Sequence, residues 1–169
     1  IANKDDCPRY MGAVLKNVSV GSSPDWMVAR LKAAGQRSIN NIVDISNYVL
    51  LEMGHPTHIF DYDKIPSNII GIRRVKNDKQ ITTLDEEKRK LSPQQLLITD
   101  GIKPIALAGI MGGLEAAVTE TTTTVFVESA YFNPVTIRKG SKELGLLTDA
   151  SRRFERGADI QAAETALWR

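Results

Sequence analysis

The stretch from Asn40 to Asp61, NNIVDISNYVLLEMGHPTHIFD, most constrains the fold. Asn40 suits a helix N-cap, and Asp44 suits the positive end of the helix that follows. Ile42, Ile45, Val49 and Met53 recur at helical spacing and predict its buried stripe. Gly54 and Pro56 stop it, because glycine takes the left-handed cap and proline cannot extend the helix. The chain therefore breaks at Gly54-His55-Pro56 and delivers His58 in a short segment ending Phe60-Asp61. An amide on a helix, Asn47, and an imidazole just beyond it, His58, end up eleven residues apart.

Upstream, residues from Tyr10 to Val20 alternate with period two and predict a strand. Ser22-Ser23-Pro24 then opens a helix with Ser23 as N-cap and Pro24 at its first position. That helix carries Trp26, Met27, Ala29, Arg30 and Leu31 and stops at Gly35. Downstream, short strands are predicted at Ile70–Val75, Gln80–Leu84, Lys88–Leu91, Leu96–Thr99, Ile105–Ala108 and Thr124–Ser129. Their turn-rich spacing argues a β-meander or sandwich. Helix returns over Pro134–Leu144, Ala150–Arg156 and from Asp159 onward. The class is α+β, with strands and helices partly segregated.

A chain of 169 residues fits one domain, 1–169, of one or two lobes, large enough to bury a core without disulfides or metals. Its single cysteine, Cys7, excludes an internal disulfide and points to a reducing, cytoplasmic setting. No apolar run is long enough to span a bilayer, and no signal peptide is visible. The net charge of +2 neither demands nor excludes nucleic acid. The chain begins without methionine and stops inside a helical pattern, and so reads as a piece of a longer protein.

Five segments compete for chemistry. His58 has an imidazole able to position a water or a reacting ester oxygen, against the plain reading of a hydrogen-bonded structural residue. His55, in the turn, is expected to be the more exposed of the two histidines. Ala108-Gly109-Ile110-Met111-Gly112-Gly113 is no phosphate loop, since no Lys-Ser/Thr follows. It is a tight turn whose glycines also let a ligand approach the backbone. Glu128 shares a strand face with Phe126, aimed either at solvent or into a pocket; an ionised carboxylate there accepts hydrogen bonds, which suits a ligand hydroxyl. Thr148–Gly157 turns into a helix that Asp149 or Ser151 caps, with Arg152, Arg153 and Arg156 on a solvated face. Glu86-Glu87-Lys88-Arg89-Lys90 reads as a solvated hairpin. No Cys/His cluster has metal-ligand spacing, and no serine-triad motif appears.

In order and spacing, Cys7–Tyr10, Ser23–Trp26, Arg37–Asp61, Ala106–Gly113, Val125–Phe132 and Thr148–Gly157 resemble the B3/B4 editing domain of bacterial phenylalanyl-tRNA synthetase β subunits. The blocks RSINNIVDISNYVLLEMGHPTHIFD and TDASRRFERG carry most of the specificity. The resemblance covers nearly the whole chain and implies a three-layer α+β fold containing a β-sandwich. It further implies hydrolysis of tyrosine mis-attached to tRNA(Phe). The family's histidine falls on His58 and its helix asparagine on Asn47. Its glycine-loop residues fall on Ala108, Gly109 and Gly112, its hydroxyl-reading glutamate on Glu128, and its threonine and alanine on Thr148 and Ala150. His55 departs from a frequent glutamine, with no consequence expected for the pocket. The resemblance assigns this domain no cofactor or metal; ATP and Mg²⁺, and the α-subunit partner, belong to the parent synthetase.

The chemistry of such a sieve is consistent with these residues. An apolar synthetic pocket rejects an added hydroxyl poorly, so a second site must demand it. Phenylalanine would leave a buried acid at Glu128 unpaired, at a cost on the order of 1.5–3 kcal/mol, roughly ten- to more than hundredfold. The ester is already activated, so positioning a water or a tRNA ribose hydroxyl suffices. The competing class is a module that contacts tRNA without chemistry; the joint presence of Asn47, His58, Glu128 and Thr148 favours the hydrolase.

Overall fold

The strands form three antiparallel sheets in the computed structural model, which describes residues 1–169. In chain order the elements are β1 (Arg9–Lys16), α1 (Asp25–Ala33), α2 (Asn41–Met53), β2 (Thr57–Asp61), β3 (Gly71–Arg74), β4 (Gln80–Thr82) and β5 (Lys88–Lys90). Then come β6 (Leu96–Thr99), β7 (Pro104–Leu107), β8 (Met111–Gly112), β9 (Thr124–Tyr131), α3 (Pro134–Leu144), α4 (Asp149–Arg156) and α5 (Ala162–Trp168).

The first sheet runs β1-β9-β2, with β9 in the middle. Its register sets Gly12 and His58 on either side of Glu128, and Val14 and Phe60 on either side of Phe126. Cross-strand partners share a face, so these side chains all point one way. That way lies the core, where Phe60 and Ala130 join Ile72, Leu97, Ile98 and Leu107 of the second sheet. On the opposite face, Ala13, Leu15, Val125 and Val127 line a groove together with Val49 of α2 and Ala166 of α5. The layers are thus helix, three-stranded sheet and four-stranded sheet, the last ordered β3-β6-β7-β8. All four residues of β6 are buried, which explains its unbroken apolar run. The β4–β5 pair makes a separate hairpin, and α3 packs against β6 and α4.

The α+β class and most elements match the sequence reading, with local corrections. β1 ends at Lys16 rather than Val20, because Asn17 turns to φ 59°. Asn40 caps α2 through the Val43 amide, and Gly54 closes it at φ 69°. Within the stripe Ile42 and Val49 are buried, but Leu50 replaces Ile45, which is 44% exposed at the edge of an open groove, and Met53 is half-buried. Ser23 does not cap α1; Pro24 occupies that position. The Ser23 hydroxyl instead donates to Asp44.

Asp44 does more than complement a helix end. It is fully buried and also accepts from the Ser38 hydroxyl and, at 2.9 Å, from the Ile39 amide. Burial pushes its pKa up, but Ser23, Ser38 and the amide outweigh that and hold it below the usual carboxylate range. The carboxylate thereby fastens the start of α1 and the loop before α2 to the first turn of α2. Asp44→Ala leaves these donors without their acceptor and is expected to lower stability by about 3 kcal/mol. Urea unfolding should show a lower midpoint at unchanged slope.

Candidate functional site

His58 is the second residue of β2, placed by the Gly54–Pro56 break to face Glu128 across the β2–β9 pairing. The glycine segment closes on it from the second sheet. A Cβ at Gly112 would lie 2.5 Å from the His58 Cε1 and 2.6 Å from Nε2, so only glycine admits the ring there. Opposite Gly112, the ring stands edge-on to Phe60 at 4.4 Å. Gly109 makes the preceding turn at φ 66°, enclosed by Phe132, Ile137 and Phe154. Met111 and Gly112 pair with β7 as a two-residue strand, too short for alternation to reveal.

Thr148 anchors this segment. Its hydroxyl donates to the Ile110 carbonyl at 2.8 Å and accepts from the Ser151 amide at 3.0 Å. Thr148, rather than Asp149 or Ser151, is therefore the N-cap of α4; Ser151 is the reciprocal partner in a capping box.

Two clefts meet at His58. The inner one is small, a cavity of about 60 Å³, and is lined by His58, Gly109, Gly112, Glu128, Ala150 and Phe154, among others. The outer one, larger at about 320 Å³ and partly open to solvent, is lined by Asn47, His58, Gly112, Thr148 and Ala150 together with apolar residues of α2. Ala108 is the exception among the sequence candidates: it is fully buried in the core, its amide donating to the Leu96 carbonyl, and it lines neither cleft. Pro56, Thr57, Ile98, Met111 and Phe154 line the inner cleft without having been singled out by sequence. All but Ile98 lie within the segments that carry the resemblance, where position beside a named site residue was their signal.

Burial drives both polar groups of the inner cleft towards their neutral forms. Glu128 is 5% exposed, and burial pushes its pKa up to about 8 against the lowering effect of the Tyr10 phenol, 2.8 Å from Oε2. At pH 7 it is mostly a carboxylic acid with a proton to donate, not the ionised acceptor expected from sequence. Burial pushes His58 down to about 4, so its imidazole both donates and accepts at neutral pH.

The order of exposure of the histidines is the reverse of the expected one. His55 is 1% exposed, edge-on to Phe154, while His58 is half-buried at the cleft. Gly54 is exposed, but His55 and Pro56 are both buried, so the chain turns inward directly after the helix stop. Arg152 and Arg156 are exposed, and Arg153 bonds the Asp149 carbonyl at 3.0 Å, in keeping with a solvated face. Glu86 forms the hairpin turn at φ 65°. No group of three or more His, Cys, Asp or Glu converges, and no helix is long and apolar enough to cross a membrane.

The scaffold is an α+β domain with two adjoining clefts that share His58, and the chain belongs to the B3/4 domain family, whose model matches residues 6–169. It is similar to the phenylalanine–tRNA ligase β subunit of Carboxydothermus hydrogenoformans, at 53% identity over 167 residues, covering 99% of this chain and 21% of that one. Similarity to the same subunit from Protochlamydia amoebophila is 53% over 159 residues, covering 94% and 20%. The chain thus spans about a fifth of these relatives' length. A crystal structure of an N-terminal fragment of the phenylalanyl-tRNA synthetase β subunit from Pyrococcus horikoshii shares the fold, with TM-score 0.53 at 16% identity, covering 84% of this chain and 46% of that one.

Two measurements test the site's electrostatics and fit. Between pH 4.5 and about 8 the folded chain holds the Glu128 proton that the unfolded chain has released, so this group's stabilising effect declines across that window. His58 acts oppositely: stability is lost as pH falls from 6.5 towards about 4, where only the unfolded imidazole is charged. Calorimetry should therefore show the Tm of Glu128→Gln gaining on wild type as pH rises to about 8 and levelling above it. Gly112→Ala should displace the imidazole, and NMR titration should find the His58 pKa moved from about 4 back towards 6.5.

Proposed function

We propose that this chain is the editing part of a phenylalanine–tRNA ligase β subunit and hydrolyses tyrosine mis-attached to tRNA(Phe). The observation that carries this reading is the facing pair of Glu128 and His58, acid and imidazole lining one inner cleft, in a chain of the B3/4 family.

In this reading the amino-acid side chain enters the inner cleft and the terminal ribose rests in the outer one. The tyrosine phenol meets Glu128. Phenylalanine brings no hydroxyl and leaves one oxygen of the desolvated acid without a partner, so the cleft selects the amino acid that the synthetic site excludes poorly. Ala150, Gly109 and the apolar wall hold the ring. At the junction His58, neutral and able to donate or accept, orients the attacking water or the ribose. Water adds to the ester carbonyl carbon, the bond to the ribose oxygen breaks, and the ribose regains its hydroxyl proton as free tyrosine leaves. Backbone N–H groups of the Gly109–Gly112 segment steady the oxyanion. Asn47, on the outer wall, addresses the ribose hydroxyls. Thr148 contributes by position, since its hydroxyl is committed to Ile110 and Ser151.

Phenylalanyl-adenylate synthesis, with its ATP and Mg²⁺, belongs in this reading to the remainder of the parent enzyme, as does pairing with the α subunit in the cytoplasm. Deacylation of tyrosyl-tRNA(Phe) and phenylalanyl-tRNA(Phe) tests the proposal. Glu128→Ala should lower the preference for the tyrosyl ester at least about tenfold. His58→Ala should slow release of tyrosine about tenfold or more with less effect on preference. Equal rates for wild type and both variants would overturn the assignment.

A further inference from the structure

We propose that Tyr10 is the positioning residue that holds Glu128 for discrimination, an inference that rests on the editing reading above. The core-facing row of β1 reads Tyr10, Gly12, Val14 against Ala130, Glu128, Phe126 of β9. Large stands opposite small at two of the three pairs. A Cβ at Gly12 would lie 2.2 Å from the Phe126 ring, so Gly12 leaves the space into which β9's side chains lean. Tyr10, opposite Ala130, reaches diagonally to the Glu128 carboxyl and donates to Oε2 at 2.8 Å.

Glu128 lines the inner cleft and Tyr10 does not. The internal phenol thus grips the acid from behind, leaving Oε1 as the oxygen available to a ligand. Tyr10 offers Glu128 the same group that a tyrosyl substrate carries, which fixes the carboxyl plane before the substrate arrives.

The grip also sets which protonation state meets the ligand. A donor favours the ionised form, so Tyr10 keeps the acid able to ionise near neutrality despite its burial. The titratable neighbours are Tyr10 from β1, Cys7 from the segment before it, and His58 from β2. Burial pushes Tyr10 well up, Cys7 to about 12 and His58 down to about 4. The parts of β6, β7, β8 and α4 that line the inner cleft present no titratable side chain to it. Glu128 is therefore the group here whose charge changes near neutral pH.

The test is Tyr10→Phe, which keeps the ring and removes the donor, made alone and with Glu128→Gln, with amide spectra to verify the fold. Carbon-13 NMR of Glu128 should show its titration displaced upward from about 8. The tyrosyl-over-phenylalanyl ratio of kcat/KM in tRNA(Phe) deacylation should fall about two- to tenfold, the loss of one hydrogen bond to a largely protonated acid. In the Glu128→Gln background Tyr10→Phe should change that ratio no further. An unmoved Glu128 titration, an unchanged ratio, or an equal effect in both backgrounds overturns the role of Tyr10. A wild-type chain that hydrolyses both esters alike overturns the editing reading itself and this role in discrimination with it, a failure visible before any variant is made.

Discussion

Everything at the site depends on the pairing of β9 with two strands from distant parts of the chain. β1 comes from the start, β2 follows the helix break, and β9 binds both in antiparallel register. A slip of one residue would turn Glu128 from the core face to the helix face and separate it from both Tyr10 and His58. The register is secured because the same face carries Phe60 and Phe126, and the other carries Val125 and Val127 towards the helices. Ordinary hydrophobic alternation thus aligns the polar groups, and the polar groups need contribute little to the alignment.

Burial then gives those groups their character. An acid that is 5% exposed is driven towards neutrality, and so is the imidazole beside it. Neither holds a charge that would demand a permanent counter-ion. Their environment is therefore apolar for most of its extent and polar at two points. The contrast with Asp44 is instructive. It too is buried, but three donors converge on it and hold it ionised, and it serves as a fastening instead of a binding group.

Much of this was legible in the sequence where local chemistry decides. The α2 cap at Asn40, the stop at Gly54, the full span of α3 and the bounds of β6 all follow from capping, left-handed glycine and unbroken apolar runs. The cleft residues were found through resemblance far more than through periodicity. What escaped depends on tertiary packing. Ser23 prefers a buried carboxylate to its own helix end, His55 turns inward under Phe154, and Thr148 reaches back to Ile110. Tyr10 is the sharpest case: period two placed it on a strand face, but its partner lies 118 positions away and only the β1–β9 register brings them together.

The exit of β9 has a geometrical consequence. Phe132, one residue past the strand, presses on Gly109 and on Phe154, while Glu128 lies four residues earlier along the same extended backbone, about 13 Å at strand rise. One stiff span thereby fixes the distance between the aromatic packing around Gly109 and the acid that lines the inner cleft. That separation is counted out in peptide units, a dimension that repacking of the outer helices leaves unaltered.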